Sequence, residues 1–156
     1  MQPKQFTCLT IHQPWASLVV QGAKRVENRR WPTWHRGLLL IHAGRSREWF
    51  PDDDDCDAIT DAGIVVPSAD SVPYGAIIGA VSVVDCVRLN AVADDEQTCP
   101  LAWLHNDVLA SGPFCWVLNN PVLFAQPIPC PGQTKLWYAP EHLSRQIAKQ
   151  MELSSI

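Results

Sequence analysis

The chain has 156 residues, 47% hydrophobic and 18% charged, with a net charge of −4. This composition is globular and excludes a disordered chain, and the length suits one domain, residues 1–156, burying roughly 68–70% of its unfolded surface. No run of about eighteen apolar residues exists and Met1 to Gln5 lack a signal peptide's apolar core, so the expectation is a cytoplasmic protein with no membrane partner.

In chain order, Phe6 to Ile11 reads as a first strand. Pro14 suits a helix start, because its missing N–H would be unpaired there. Trp15, Leu18, Val19 and Gly22 fall on one helical face, and Gly22 ends that helix by entering the left-handed conformation at low cost. Arg25 to Trp31 reads as a strand, placing Arg25, Glu27 and Arg29 on one face and Val26, Asn28 and Arg30 on the other. Residues Trp31 to Gly37 form a loop, and Leu38 to Ala43 a buried strand. A helical piece is expected at Arg47 to Phe50 and a helical turn at Asp57 to Ala62, with loop from Val65 to Tyr74. Gly75 to Val87 reads as a long central strand with a bend or bulge at Gly79.

A polar loop from Asp94 to Asp107 contains a short helix at Pro100 to His105. Phe114 to Leu118 and Val122 to Ala125 read as two strands joined by a hairpin-like turn, Asn119-Asn120-Pro121. The prolines of Pro127 to Gly132 exclude a central strand there, and Glu141 to Met151 is a final helix. Five or six short strands among helices indicate an α+β fold on a small curled sheet or barrel.

Charge is unevenly spread. Residues 24–47 hold Lys24, Arg25, Arg29, Arg30, Arg36, Arg45 and Arg47 against Glu27, a net of +6, which leaves −10 elsewhere. Much of the negative charge is Glu48, Asp52 to Asp55, Asp57 and Asp61. Either the basic run lines a positive groove on an acidic protein, or the two runs pair with each other or face solvent. Asp52 to Asp55 lack the glycine and terminal glutamate of an EF-hand loop and read as a solvated turn. The six cysteines have no zinc spacing, and Cys8, Cys86 and Cys115 read as small buried hydrophobes with free thiols. No metal or cofactor is expected.

The motif richest in chemistry is Gly22-x-Lys24-x-x-Glu27-x-Arg29, directly after Gln13-Pro14-Trp15-Ala16. Three charges on a strand face with Lys24 at its mouth make a poor core and a candidate site; the plainer alternative is an ion pair closing the helix–strand junction. The chain holds seven tryptophans, and indoles over a positive cleft suit nucleobases. Trp15, Trp31, Trp34 and Trp116 are the stacking candidates. Trp15 and Trp116 also fit apolar core patterns, whereas Trp31 and Trp34 lie in a polar loop. Glu27 can accept from an exocyclic amine and Arg29 can hold a phosphate or a ring carbonyl. His42 ends an apolar strand, as a satisfied rim histidine or as a ligand contact.

These segments, with Leu40-Ile41-His42-Ala43, Gly75-Ala76-Ile77-Ile78-Gly79, Gly112-Pro113-Phe114-x-Trp116-x-Leu118 and Gly132-Gln133-x-x-Leu136-Trp137, resemble the ASCH domain family. The resemblance implies a PUA-like small β-barrel with flanking helices, a cleft beside the Gly-Lys motif, and RNA or a modified nucleoside as partner. Some small bacterial members are amidohydrolases acting on N4-acetylcytidine, with a catalytic lysine matching Lys24. Three residues on they carry a threonine, where this chain has Glu27; their third residue, a glutamate, falls loosely at Glu96, beside Asp94 and Asp95. Hydrolysis here would use Glu27 as general base on water and Lys24 to stabilise the developing charge or protonate the leaving amine.

Overall fold

The computed structural model describes residues 5–48 and 51–154. Among these residues nine α-helices and strands follow one another: β1 (Thr7–Ile11), α1 (Trp15–Val20), β2 (Val26–Arg29), β3 (Gly37–Ala43), α2 (Asp53–Asp61), β4 (Ala76–Arg88), β5 (Phe114–Pro129), β6 (Leu136–Tyr138) and α3 (Ser144–Leu153). The strands form one curled sheet in the order β2-β5-β4-β3-β1-β6. Strands β1 and β3 run parallel; the other pairs among the described residues are antiparallel. The α+β architecture is that of a PUA-like half-barrel with flanking helices.

Helix α1 begins after Pro14, as its sequence predicts. Gln13 supplies the cap that proline cannot: its buried side chain accepts from the Ser17 N–H at 3.0 Å and donates to the Pro73 carbonyl at 2.9 Å. Gly22 stops the helix with φ +87°, and the Lys24 N–H then donates to the Leu18 carbonyl at 3.0 Å, tying the Gly-Lys turn to the helix end. Ala16 to Val20 are all buried, several of them against β3 and β4 in the main core. A second cluster, including Cys8, Leu40, Ile77, Trp137 and Ile147, joins the sheet to α3.

Strand β4 is central, and its register against β5 slips between Ile77 and Gly79, the expected irregularity. The predicted hairpin at Asn119 to Pro121 is corrected. Both halves pair with β4 rather than with each other, Leu118 opposite Val83 and Val122 opposite Ala80. Asn120 takes φ +50°, tolerable for asparagine, and the local turn chemistry becomes a bulge in one sixteen-residue strand. Among the described residues its far part, Val122 to Pro129, pairs with no strand but β4, because β2 pairs with Phe114 to Val117. Pro127 and Pro129 therefore delete no ladder bond on a second side.

The aspartate run is also corrected. It is the start of α2, not a solvated turn: the Asp52 carboxylate accepts from the Asp55 N–H at 2.7 Å, and Asp53, Asp54 and Asp55 occupy the first turn. Carboxylates there cap orphan N–H groups and face the positive end of the helix dipole. Arg47 and Glu48 are not helical; the rest of the piece expected there lies outside the described residues. The short helix expected at Pro100 to His105 is a 3₁₀ turn, Ala102–Asn106, and the last helix opens with another, Glu141–Leu143. Among the described residues no helix is long and apolar enough to cross a membrane.

Candidate functional site

Strand β2 puts Glu27 and Arg29 on one face, with Lys24 reaching in from the turn. Lys24 and Glu27 are only 4% and 6% exposed. The Lys24 ammonium donates to Glu27 Oε1 at 3.0 Å and to the Val26 carbonyl. Arg29 donates to Glu27 Oε2 through Nη2 at 2.8 Å and Nε at 3.2 Å, and its Nη2 also donates to the Thr10 carbonyl at 3.0 Å. One buried carboxylate thus lies between two cations. Burial raises its proton affinity, but the charges and hydrogen bonds of Lys24 and Arg29 outweigh it and hold the Glu27 pKa below the ordinary 4.5. Arg25 does not share this face. It precedes the strand, stacks over Trp103 at 4.1 Å and pairs with Asp107 at 3.6 Å.

The triad opens into a cleft of about 870 Å³. Its walls come from the end of β1, Trp15 at the head of α1, β2 with Arg30 and Trp31, the inner side of α2, the Val108 to Ser111 segment, and Gln133 to Lys135. Asn28 braces one wall by donating to the Leu109 carbonyl at 2.8 Å and accepting from the Ser111 and Gly112 N–H groups at 2.9 Å each. Four cations, Lys24, Arg29, Arg30 and Lys135, face two carboxylates, Glu27 and Asp55. The basic and aspartate runs thus meet at this cleft, but no salt bridge joins them among the described residues. A smaller hollow of about 520 Å³, between α2 and Ile64 to Ala69, has no charged lining residue.

The structure brings Lys24, Glu27, Arg29, Trp15 and Trp31 together in the cleft and leaves four other candidates outside its lining. Trp116 is fully buried core; it meets Trp31 edge-on at 4.8 Å and donates to its carbonyl at 3.3 Å, supporting that wall from behind. Trp34 is 94% exposed, away from the lining. Glu96 is exposed and accepts from Asn106 at 3.1 Å.

His42 is the satisfied rim histidine. It is buried, with Nε2 at 2.7 Å from the Cys130 carbonyl and Nδ1 at 3.2 Å from Thr10 Oγ1. A carbonyl only accepts, so Nε2 carries the proton. Trp137 donates to Thr10 Oγ1 at 3.2 Å, and the Thr10 hydroxyl donates onward to Nδ1. Burial lowers the His42 pKa below 6.5; the Cys130 hydrogen bond opposes this, and the Arg45 charge adds to it. The folded protein therefore keeps His42 neutral where the unfolded chain takes up a proton. Unfolding free energy should fall as pH drops below 6.5, by up to about 1.4 kcal/mol per unit until the folded pKa is reached. Urea titrations at stepped pH should show this slope in the wild type and lose it in His42→Gln.

Sequence reasoning missed His12, Arg30, Asp55, Ser111, Gln133 and Lys135 as lining residues. Two signals were available: the polar Gln133-Thr134-Lys135 run following the prolines, and Arg30 next to the motif. Of the cysteines, Cys8, Cys115 and Cys130 are buried free thiols and Cys86 is half-buried. Burial, with Cys130 nearby, pushes the Cys8 thiol up to about 12 despite an opposing backbone hydrogen bond, consistent with an inert packing role.

A family model of the ASCH domain matches residues 9–146. Human and mouse Activating signal cointegrator 1 are each 33% identical over 132 residues, 83% of this chain, which spans 22% of those relatives' length. The crystal structure of ASCH from Zymomonas mobilis superposes with a TM-score of 0.54 at 14% identity, covering 92% of this chain and 93% of that one. Two mutant forms of that protein give 0.50 each, at 14% and 15% identity, covering 94% and 96% of this chain and 98% of theirs. Likeness at such identity speaks to the fold, whereas the family match and the 33% relatives speak to kinship. With the Gly-Lys turn, the buried triad and the curled sheet all in place, the chain belongs to the ASCH domain family.

Proposed function

We propose that this domain binds RNA, or a modified cytidine-like nucleoside, in the cleft beside the Gly22 to Arg29 motif. The observation that carries this reading is Glu27, held as an anion between Lys24 and Arg29 at the inner end of a cation-rich cleft with two half-buried indoles. Each carboxylate oxygen has two lone pairs, so Glu27 can accept from a base's exocyclic amine while keeping both cations. Trp31, braced by Trp116, offers a base a rigid stacking surface at little entropic cost.

The alternative is deacylation of an N4-acylcytidine by Lys24 and Glu27. It asks Glu27 to take a proton from water, and the two cations that lower its proton affinity make it a weak base. Glu96 is not in the cleft to serve as a third group.

Single-stranded and structured RNA, and N4-acetylcytidine, should be titrated against the protein. RNA affinity is expected to fall steeply with salt, to weaken in Arg29→Ala, and to drop about tenfold or more in Trp31→Ala. RNA binding that is absent or independent of salt, together with no binding of N4-acetylcytidine, would sink the proposal. Turnover of N4-acetylcytidine by wild type, lost in both Lys24→Ala and Glu27→Gln, would establish the hydrolase instead.

A further inference from the structure

The cations of the cleft fall into two groups. Lys24 and Arg29 are buried or half-buried and already share the Glu27 carboxylate. Arg30 and Lys135 are exposed, line the same cleft, and have no hydrogen bond, ion pair or ring contact among the described residues. The uncompensated positive charge therefore sits at the rim, where Asp55 is the opposing carboxylate.

Lys135 is also held at φ +59°. A lysine there costs about 1–2 kcal/mol that glycine would not, and asparagine tolerates the conformation far better. Strain of this kind collects at ligand clamps. The surrounding segment imposes it from a firm base. The Cys130 N–H donates to the Gly75 carbonyl at 3.1 Å, and the Cys130 carbonyl accepts from His42. Gly132 lies so close to the His42 and Thr10 side chains that an added Cβ would meet them at 2.7 Å. Strand β6 begins at Leu136, directly after Lys135. A fixed frame thus presents Gln133, Thr134 and Lys135 to the cleft, and none of these side chains has a hydrogen-bond partner among the described residues.

Resting on the proposed binding function, we infer that Arg30 and Lys135 form a phosphate site at the rim, so that the ligand class is a nucleotide or an RNA phosphodiester rather than a free nucleoside. The base would enter toward Trp31 and the compensated triad, while the anionic group meets the two uncompensated cations. Arg30 supplies a planar fork and Lys135 a point charge, with Thr134 as a neutral donor.

Cytidine, cytidine 5′-monophosphate and a short single-stranded oligocytidylate serve as probes, titrated by calorimetry into the full chain and into Lys135→Asn, Lys135→Arg and Arg30→Gln variants. Wild type should prefer 5′-monophosphate or oligomer over cytidine by about tenfold or more; which phosphorylated probe gains more separates a monoester site from a diester site. Lys135→Asn and Arg30→Gln should erase most of that preference, weakening the phosphorylated probes far more than cytidine, and Lys135→Arg should keep it. Thermal unfolding of Lys135→Asn should be unchanged or raised, because asparagine accepts the left-handed backbone. Cytidine binding as tight as that of its phosphate, or a preference that survives both neutral variants, overturns the phosphate site and leaves the cleft's binding function standing. Failure of all three probes to bind overturns the phosphate site, and the binding function falls with it when structured RNA and N4-acetylcytidine also fail to bind.

Discussion

Glu27→Gln is expected to lower the unfolding free energy at pH 7 by about 3–5 kcal/mol, the cost of leaving the buried Lys24 without its counter-charge. Lys24 is only 4% exposed, so its ammonium is largely withheld from water. The Val26 carbonyl remains as an acceptor but carries no charge. Arg29, with 23% of its side chain exposed, can relax outward and limits the loss on its side. Removing both buried charges in a Lys24→Met, Glu27→Leu double variant should recover a large part of the stability, since the penalty belongs to the orphaned charge rather than to the pair. The effect has a pH signature. The folded Glu27 pKa is lowered, so its contribution is complete above the unfolded value near 4.5 and is lost as pH falls through the folded pKa. Urea unfolding followed by tryptophan fluorescence should show the gap between wild type and Glu27→Gln narrowing as pH falls below 4.5; a gap that stays constant with pH would remove the ion triad as the cause.

Gly79→Ala is expected to prevent folding. An added Cβ would lie 2.1 Å from the Val122 carbonyl oxygen and 2.7 Å from Val20 Cγ1. The first is backbone within the β4–β5 ladder and the second is on the buried helix α1, so neither can yield like the tip of a flexible side chain. Relief requires β5 or α1 to part from β4, at a cost above about 4 kcal/mol. Gly63→Ala is the matched comparison. There the added methyl meets nothing within 4 Å, and only the φ of +85° is penalised, at about 1–2 kcal/mol. Soluble yield, far-ultraviolet circular dichroism and thermal melts should separate the two variants. A cooperatively folding Gly79→Ala protein with near-wild-type stability would show that β4 and α1 pack less closely than described.

Elements governed by neighbours in sequence were legible from the residues. Pro14 and Gly22 bracket α1 because each acts through its own backbone. Alternation along β2 placed Glu27 and Arg29 together because side chains two apart share a face. The same reasoning overreached by one residue, since Arg25 stands before the first paired position and turns to Trp103. The Asp52 cap was also readable, as an aspartate run ahead of a helix is an N-terminal signal, but the density of charge invited a solvated turn instead. At Asn119 to Pro121 the turn signal was real, yet pairing of both flanks with β4 converted it into a bulge.

The local sequence by itself therefore determined the start and stop of α1, the Lys24–Glu27–Arg29 cluster and the long β-branched strand at the sheet's centre. Only the tertiary structure decided which tryptophans meet the cleft, that Trp116 supports Trp31 from the core, that Glu96 and Trp34 stand apart, and that α2 and Gln133 to Lys135 complete the walls. The physical reason is range. Capping, left-handed turns and strand alternation act over a few residues, whereas a cleft is closed by segments as distant as Thr10 and Lys135, brought together by strand pairing and burial that no local pattern encodes.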